Sequence, residues 1–411
     1  MEWIVLTSWA EFAVRWLHVI TAIAWIGSSF YFIALDLGLR RDPRPASGAD
    51  GDEWQVHGGG FYHIQKYMIA PSEMPEHLVW FKWEAYATWL SGAALLALVY
   101  WVGAELYLID YNVQDLTTGQ AILISAGSLM IGWMAYDVLC KSGLGDKPTF
   151  LMVLLFILLV AMAWGYTQVF SGRAALLHLG AFTATIMSAN VFFIIIPNQK
   201  IVVADLKAGR TPAAKYGKIA KLRSTHNNYL TLPVIFLMLS NHYPLAFASE
   251  YNWIIASLVF LMGVTIRHFF NSMHSKNVML WWTWGVTLAI FLVIVFLSMA
   301  PLLRADAADQ EVRLSPMAER LIAHEDFPDV ANIILGRCSM CHGTEVYWPG
   351  LAWAPKGVLL DTDAMIASNA RAIYLQAGAS HAMPPGNLSY MEDAERAVIR
   401  HWYQSGVSGA L

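Results

Sequence analysis

Long hydrophobic runs fill the first three quarters of the chain. Eight of them approach the roughly 20 residues that a helix needs to cross a bilayer. Polar segments separate them, of which 37–82, interpreted as a loop, and 197–228 are long. After Leu303 the pattern becomes polar and then amphipathic. We predict an all-α protein with a membrane domain (1–303), a linker (304–316) and a small C-terminal domain (317–411). The eight predicted transmembrane helices are 11–36, 83–103, 120–139, 149–170, 175–196, 229–247, 253–271 and 279–302.

The composition supports a membrane protein. Of the residues, 57% are hydrophobic and 14% charged, and there are 18 Trp, a balance too apolar for a soluble globular domain. No basic run with interleaved aromatic residues is present, so nucleic acid is not an expected partner. The first hydrophobic run follows a short acidic segment without a cleavage site, and we expect it to be retained as a helix in the bilayer.

The distribution of charge predicts the orientation. The connection 197–228 carries seven Lys or Arg and one acid, whereas 104–119 and 242–252 carry acids and no Lys or Arg. Cationic connections lie on the cytoplasmic side. With eight helices, both termini then lie outside, so the N-terminus and the C-terminal domain are predicted in the periplasm of a bacterial inner membrane.

The first and fifth hydrophobic runs are similar to each other. His18 and His178 stand at the same offset within them, and Phe32 and Phe192 follow in step. A repeat of four helices would relate the two halves by an axis along the membrane normal. Chance similarity between apolar helices is the alternative.

A Cys-x-x-Cys-His motif near the C-terminus indicates one-electron chemistry and predicts that residues 317–411 form a class I cytochrome c domain. Its predicted helices are 328–338, 362–376 and 391–404, and the last is amphipathic with Trp402 facing inward. Cys338 and Cys341 have the spacing that attaches c-type haem, and His342 beside them would be an axial iron ligand. Met383, in the sequence AMPPGN, is the predicted sixth ligand, although an ordinary loop methionine is the alternative. A zinc site or a redox disulfide would also use Cys-x-x-Cys, but the adjacent His and the absence of a second such pair disfavour zinc. The third cysteine, Cys140, is interpreted as a structural thiol.

Polar residues within the hydrophobic runs are the predicted substrate or relay groups, because such residues are costly in a bilayer. His18 and His178 either bind a b-type haem, line a pocket, or make helix–helix hydrogen bonds. Asp137 either pairs with Arg267 or takes a catalytic role. His226, Asn227 and Asn228 offer a base and two amides that would recognise a planar polar ligand, or they cap a helix. The candidate catalytic residues are therefore His18, His178, His226 and Asn227.

The amino-acid sequence resembles that of a known family, the membrane-bound, cytochrome c-linked urate oxidases of bacteria. The resemblance lies in RWLHVITAIAWIGSSFYF, YMIAPSEMPEHLVWFKWEAYATWLSG, STHNNYLTLPV and RHFFNSMHSKN, joined to RCSMCHG and AMPPGN. It implies oxidation of urate to 5-hydroxyisourate, with electrons passing through haem c to cytochrome c oxidase or a soluble cytochrome c and no hydrogen peroxide formed. It also implies haem binding by Cys338, Cys341, His342 and Met383. The first run resembles one from bacterial membrane protoporphyrinogen oxidases thought to hold haem b.

Two other functions stay open at this point. Another membrane dehydrogenase, acting on quinol or a different purine, would equally feed haem c. A urate or purine transporter with a regulatory cytochrome domain is the alternative from a different class. A haem–copper oxidase is disfavoured because the hydrophobic runs lack clustered histidine pairs.

Overall fold

The structure is a computed structural model that describes residues 3–41, 49–67, 75–276, 278–300, 314–351 and 354–408. It is mostly helical, 74%, in agreement with the predicted class. The helices of the N-terminal part are α1 (Trp3–Gly38), α2 (Trp83–Leu96), α3 (Thr118–Lys141), α4 (Pro148–Thr167), α5 (Gly172–Ala189), α6 (Ile196–Lys207), α7 (Ala214–Ser240), α8 (Pro244–Phe247), α9 (Asn252–Lys276) and α10 (Trp282–Met299). Those of the C-terminal part are α11 (Pro316–Ile322), α12 (Phe327–Arg337), α13 (Ser339–His342), α14 (Asp363–Ser368), α15 (Ala370–Ile373) and α16 (Asp393–Ser408).

A β-hairpin departs from the all-α prediction. Strands β1 (Gly51–His57) and β2 (Gly60–Lys66) pair antiparallel in the connection between α1 and α2. Gly58 and Gly59 form its two-residue turn with φ of 59° and 81°, and a turn with two positive φ angles favours glycine. The prediction was wrong here because it took the whole connection as a loop between two membrane helices.

Six helical segments of the described residues are long and apolar enough to cross a membrane: Trp3–Gly38, Thr118–Lys141, Pro148–Thr167, Gly172–Lys207, Asn252–Ser275 and Trp282–Met299. The other two predicted segments are also helical. However, α2 ends at Leu96 and continues as π-helical Ala97–Trp101, and the first half of α7 is polar. The structure is therefore compatible with a membrane protein, and eight crossings stay a prediction.

Close packing of α3, α4, α5, α7 and α9 forms the main apolar core, in which Leu179, Phe182 and Leu237 are fully buried. Gly132 on α3 permits the closest of these approaches, because a Cβ there would lie 1.8 Å from Cε2 of Phe182. By contrast, α1 has no buried residue and exposes large apolar side chains along its length. Such a surface suits contact with lipid.

A second apolar cluster lies in the C-terminal part and includes Leu321, Ile334, Tyr374 and Trp402. Trp402 faces inward as predicted, and its Nε1 donates a hydrogen bond to the carbonyl of Leu321 at 2.9 Å. The predicted helices 328–338, 362–376 and 391–404 correspond to α12, to α14 and α15 with π-helical Tyr374–Gly378, and to α16. The domain limits stay a prediction, and most of the predicted linker 304–316 lies outside the described residues.

Arg371 joins the two parts. Its Nη1 donates to the hydroxyl of Tyr107 at 3.1 Å, and its Nη2 lies 3.6 Å from Oε2 of Glu11. Tyr107 belongs to the π-helical segment Ala104–Leu108, just before α3. The C-terminal part therefore contacts the bundle at the end where α3 begins.

Candidate functional site

A buried ion pair lies between α3 and α7. Arg223, 2% exposed, donates from Nη2 to Oδ1 of Asp137 at 2.6 Å and from Nη1 to Oδ1 of Asn190 at 3.1 Å. Lys141 Nζ lies 2.6 Å from the second oxygen of Asp137. The predicted pairing of Asp137 with Arg267 is therefore wrong: the carboxylate faces α7, whereas Arg267 lies on α9 and bonds to other groups.

His226 and Asn227 extend this polar cluster. Nδ1 of His226 and the hydroxyl of Tyr136 share a hydrogen bond of 2.8 Å, and Asn190 Nδ2 donates to that hydroxyl at 3.0 Å. Asn227 accepts from Asn190 at 3.0 Å and donates to the carbonyl of Met187 at 2.9 Å. Among the described residues, Nε2 of His226 is buried without a partner, whereas both amide atoms of Asn227 are engaged.

A second centre, the α9-side centre, consists of Asn228, Arg267, Asn271 and Phe30. Arg267 is 6% exposed and donates from Nε to Oδ1 of Asn228 at 3.4 Å and from Nη2 to Oδ1 of Asn271 at 3.1 Å. Asn271 Nδ2 donates to the same Asn228 oxygen at 2.9 Å. The Phe30 ring lies 4.0 Å from the guanidinium carbon. Sequence reasoning missed Asn271 and Phe30, and took Arg267 for the partner of Asp137.

Successive residues of α7 face different helices. His226 reaches α3, Asn227 reaches the α5 residue Met187, and Asn228 reaches α9. Residues next to each other on a helix point about 100° apart because there are 3.6 residues per turn. The three residues therefore do not form the single recognition site for a planar ligand that their sequence suggested.

The two histidines at equal offsets lie in different surroundings. His178, 0% exposed, shares hydrogen bonds of 2.8 Å from Nε2 to Ser125 Oγ and from Nδ1 to the Ala174 carbonyl, so both ring nitrogens are engaged. Nδ1 of His18 lies 3.0 Å from the carbonyl of Thr88 on α2. No hydrogen bond or ring contact joins the two histidines within the described ranges. Their roles in catalysis stay predictions.

The Cys-x-x-Cys-His motif lies where α12 ends and α13 begins. The backbone N–H of His342 donates to the Cys338 carbonyl at 2.9 Å, and Nδ1 of His342 is 2.9 Å from the Val358 carbonyl. This second hydrogen bond orients the ring and leaves Nε2 for an axial bond, as metal-ligating histidines require. Met383 packs at the edge of the same apolar cluster as Cys338. These residues fit a covalently bound haem.

Burial disfavours a redox role for the thiols themselves. It raises the pKa of Cys338 to about 12, whereas reactive dithiols have lowered pKa values. The part of the chain that the structure describes holds no group of three or more His, Cys, Asp or Glu that could hold a metal ion. A histidine–methionine pair on haem needs no such group.

These features define a class: a helical protein compatible with the membrane, with a buried polar layer and a C-terminal part that bears a Cys-x-x-Cys-His motif. The family model described as Urate oxidase N-terminal matches residues 4–298. The chain therefore belongs to this urate oxidase-related family. Neither the comparison with curated proteins nor that with solved structures found a match.

Proposed function

We propose that this protein is a membrane-bound urate oxidase that delivers electrons to a covalently bound haem c. The observation that carries the proposal is the family match over residues 4–298, which spans the whole helical bundle and its buried polar layer. The Cys338–His342 motif, which follows in the same chain, supplies the reason to propose a haem as electron acceptor.

The reaction balances without oxygen as a reactant. Urate loses two electrons and two protons, and water adds at C5 to give 5-hydroxyisourate. Haem c, when bound, supplies a one-electron acceptor, so the two electrons leave in successive steps. Cys338 and Cys341 would hold the group, and His342 and Met383 would be its axial ligands, a pairing that raises the reduction potential.

The polar layer lies far from the C-terminal part. Asp137 is about 28 Å along α3 from Thr118, at 1.5 Å per residue, and Arg371 contacts the bundle near Thr118. Electrons must therefore cross most of the bundle. Aromatic rings line the end of the bundle nearest Arg371. The ring centroids of Tyr100 and His178 are 5.8 Å apart and those of Tyr100 and Tyr107 are 6.4 Å apart. Tyr107 accepts a hydrogen bond from Arg371. We propose that electrons leave along these rings.

Haem b does not fit at His178. Both ring nitrogens are engaged, and the rings of Tyr100, Tyr166 and Phe170 surround the imidazole at 5.8, 5.7 and 4.7 Å. A haem there would have to displace this packing. The proposed electron path therefore does not include haem b at His178.

We propose that the C-terminal part lies on the periplasmic side. Its electron acceptor there would be cytochrome c oxidase or a soluble cytochrome c.

Turnover by membranes containing the full chain tests the proposal. We expect urate consumption without hydrogen peroxide, abolished by His342→Ala and retained by Cys140→Ala, a control that removes the cysteine outside the motif. Peroxide formed in proportion to urate, or full activity of His342→Ala, would exclude haem c as the acceptor. Urate uptake into sealed vesicles without oxidation would favour the transporter.

A further inference from the structure

We propose that the α9-side centre (Asn228, Arg267, Asn271 and Phe30) is the site that binds urate, and that it binds the substrate as its monoanion. This inference rests on the proposed function and names the place and the charge state of the substrate. It follows from the electrostatics of the centre, from its hydrogen-bond donors and from its position in the bundle.

Among the described residues, no carboxylate provides a counter-charge for the buried cation Arg267. Within the described ranges, no carboxylate lies within 4.0 Å of it, unlike Arg223, which pairs with Asp137 at 2.6 Å. A buried charge left unpaired is strongly unfavourable, and the cation–π contact with Phe30 offsets only part of that cost. An anion bound here would supply the missing charge, whereas the centre around Arg223 already has its own.

The two side-chain oxygens of the centre already accept hydrogen bonds, whereas donors remain available to a ligand. The side-chain oxygen of Asn228 accepts hydrogen bonds from both Arg267 and Asn271. The side-chain nitrogen Nδ2 of Asn228 therefore points away from these two residues. Nδ2 of Asn228 is buried without a partner among the described residues, and Asn228 is 1% exposed. The guanidinium has five N–H groups, of which these contacts use two. A ligand rich in acceptors therefore fits, and urate presents carbonyl oxygens and a deprotonated ring nitrogen along its edges.

The shape favours a flat ligand. Phe30 lies against the guanidinium at 4.0 Å, and the two asparagines hold Nε and Nη2. The plane of the guanidinium is thereby fixed, and its remaining N–H groups point outward along its edge, the arrangement that gives Arg its specificity for planar acceptors. Lys in its place would keep the charge and lose this geometry.

Selecting the anion also serves the chemistry. One of the two protons that the oxidation releases has already left before binding, and an anion gives up an electron more readily than the neutral acid. Arg267 lies about 13 Å from the C-terminal end of α9, at 1.5 Å per residue. The C-terminal end of α9 is on the side of the bundle away from Arg371. Substrate would thus enter from the side opposite the C-terminal part. His226 points about 200° away from Asn228 around α7, so it does not contact urate in this site.

Equilibrium binding of radiolabelled urate to the full-length protein, kept reduced with dithionite so that no turnover occurs, tests the inference. Arg267→Gln should weaken binding at least tenfold, since hydrogen bonds to charged groups are strong, and Arg267→Lys should recover part of the loss. Lys200→Gln removes an exposed cation and should bind like the parent protein.

Asn228→Asp is the sharpest variant, because it places a carboxylate of equal size beside Arg267. It should abolish urate binding and raise the thermal midpoint of the ligand-free protein. Binding by Arg267→Gln and Asn228→Asp equal to that of the parent, in protein that oxidises urate, would overturn the site and leave the proposed function intact. A parent protein that neither binds urate nor reduces its haem with urate would overturn the function as well.

Discussion

Replacing Asp137 by asparagine should destabilise the bundle far more than removal of a surface carboxylate. The change keeps the size and one hydrogen-bond acceptor but leaves Arg223, 2% exposed, as an uncompensated buried cation. Breaking a buried pair in this way costs about 3–5 kcal/mol. Because asparagine retains an acceptor and Asn190 still bonds to Arg223, we expect the lower end, about 3 kcal/mol.

Asp205→Asn is the matched control. Asp205 pairs with Arg210 at 2.7 Å, as close as the buried pair, but the Arg210 side chain is 65% exposed. Exposed pairs contribute about 0–1 kcal/mol, so this variant should behave nearly as the parent. Adding Arg223→Met to Asp137→Asn removes the stranded charge and should recover most of the lost stability, which a double-mutant cycle measures.

Thermal and denaturant unfolding in detergent, followed by tryptophan fluorescence, provides the assay. The free energy of unfolding should fall for Asp137→Asn, stay nearly unchanged for Asp205→Asn, and recover in the double variant. Equal stabilities of the two single variants would refute the burial of this ion pair, because they would mean that water or lipid headgroups solvate Arg223.

Three further predictions concern packing and the C-terminal part. Gly132→Ala should cost about 1–3 kcal/mol of unfolding free energy, because the new Cβ would lie 1.8 Å from the Phe182 ring. Gly127→Ala is the control, since a Cβ there meets nothing within 4 Å. Equal thermal midpoints of the two variants would contradict this packing. Arg371→Ala removes the bonds to Tyr107 and Glu11, so protease should release the C-terminal part roughly 5–30 times faster, and unchanged release would show that this contact does not hold the two parts together. Burial raises the pKa of Glu395, but the Glu392 N–H and the Arg337 guanidinium outweigh this effect and lower the pKa overall. Glu395→Gln should therefore cost up to about 1 kcal/mol of stability in α16 at neutral pH, measured by amide exchange, and this difference should vanish as the pH falls through the lowered pKa. A difference that grows in acid would contradict the lowered pKa.

Local patterns in the sequence predicted the helices well. All eight hydrophobic runs are helical, and Trp402 faces the core as the amphipathic pattern of α16 required. The hairpin was missed although Gly58-Gly59 is a strong turn signal, because the surrounding connection was interpreted only as a loop. The hydrophobic runs and the 3.6-residue amphipathic period can be found within a single helix. The helices and the inward side of Trp402 could therefore be predicted without knowledge of how the helices pack.

Partners between helices could not be predicted in the same way. Asp137 had several cations available to it, and only the packing of α3 beside α7 selects Arg223 over Arg267. The three residues His226, Asn227 and Asn228 are contiguous in sequence, which suggested one site, but helix geometry separates their side chains. Asn271 and Phe30 carry no signal of their own in the sequence, since only the packing of the helices brings them into contact with Arg267.

Anaerobic addition of urate to the purified, oxidised protein tests the central claim most directly. The absorption band of reduced haem c should appear upon mixing, with two haems reduced for each urate converted to 5-hydroxyisourate, because urate gives up two electrons and each haem accepts one. Xanthine should give no reduction. Haem that dithionite reduces but urate does not would contradict the account, because it would separate the bundle that the family match covers from the motif at Cys338–His342.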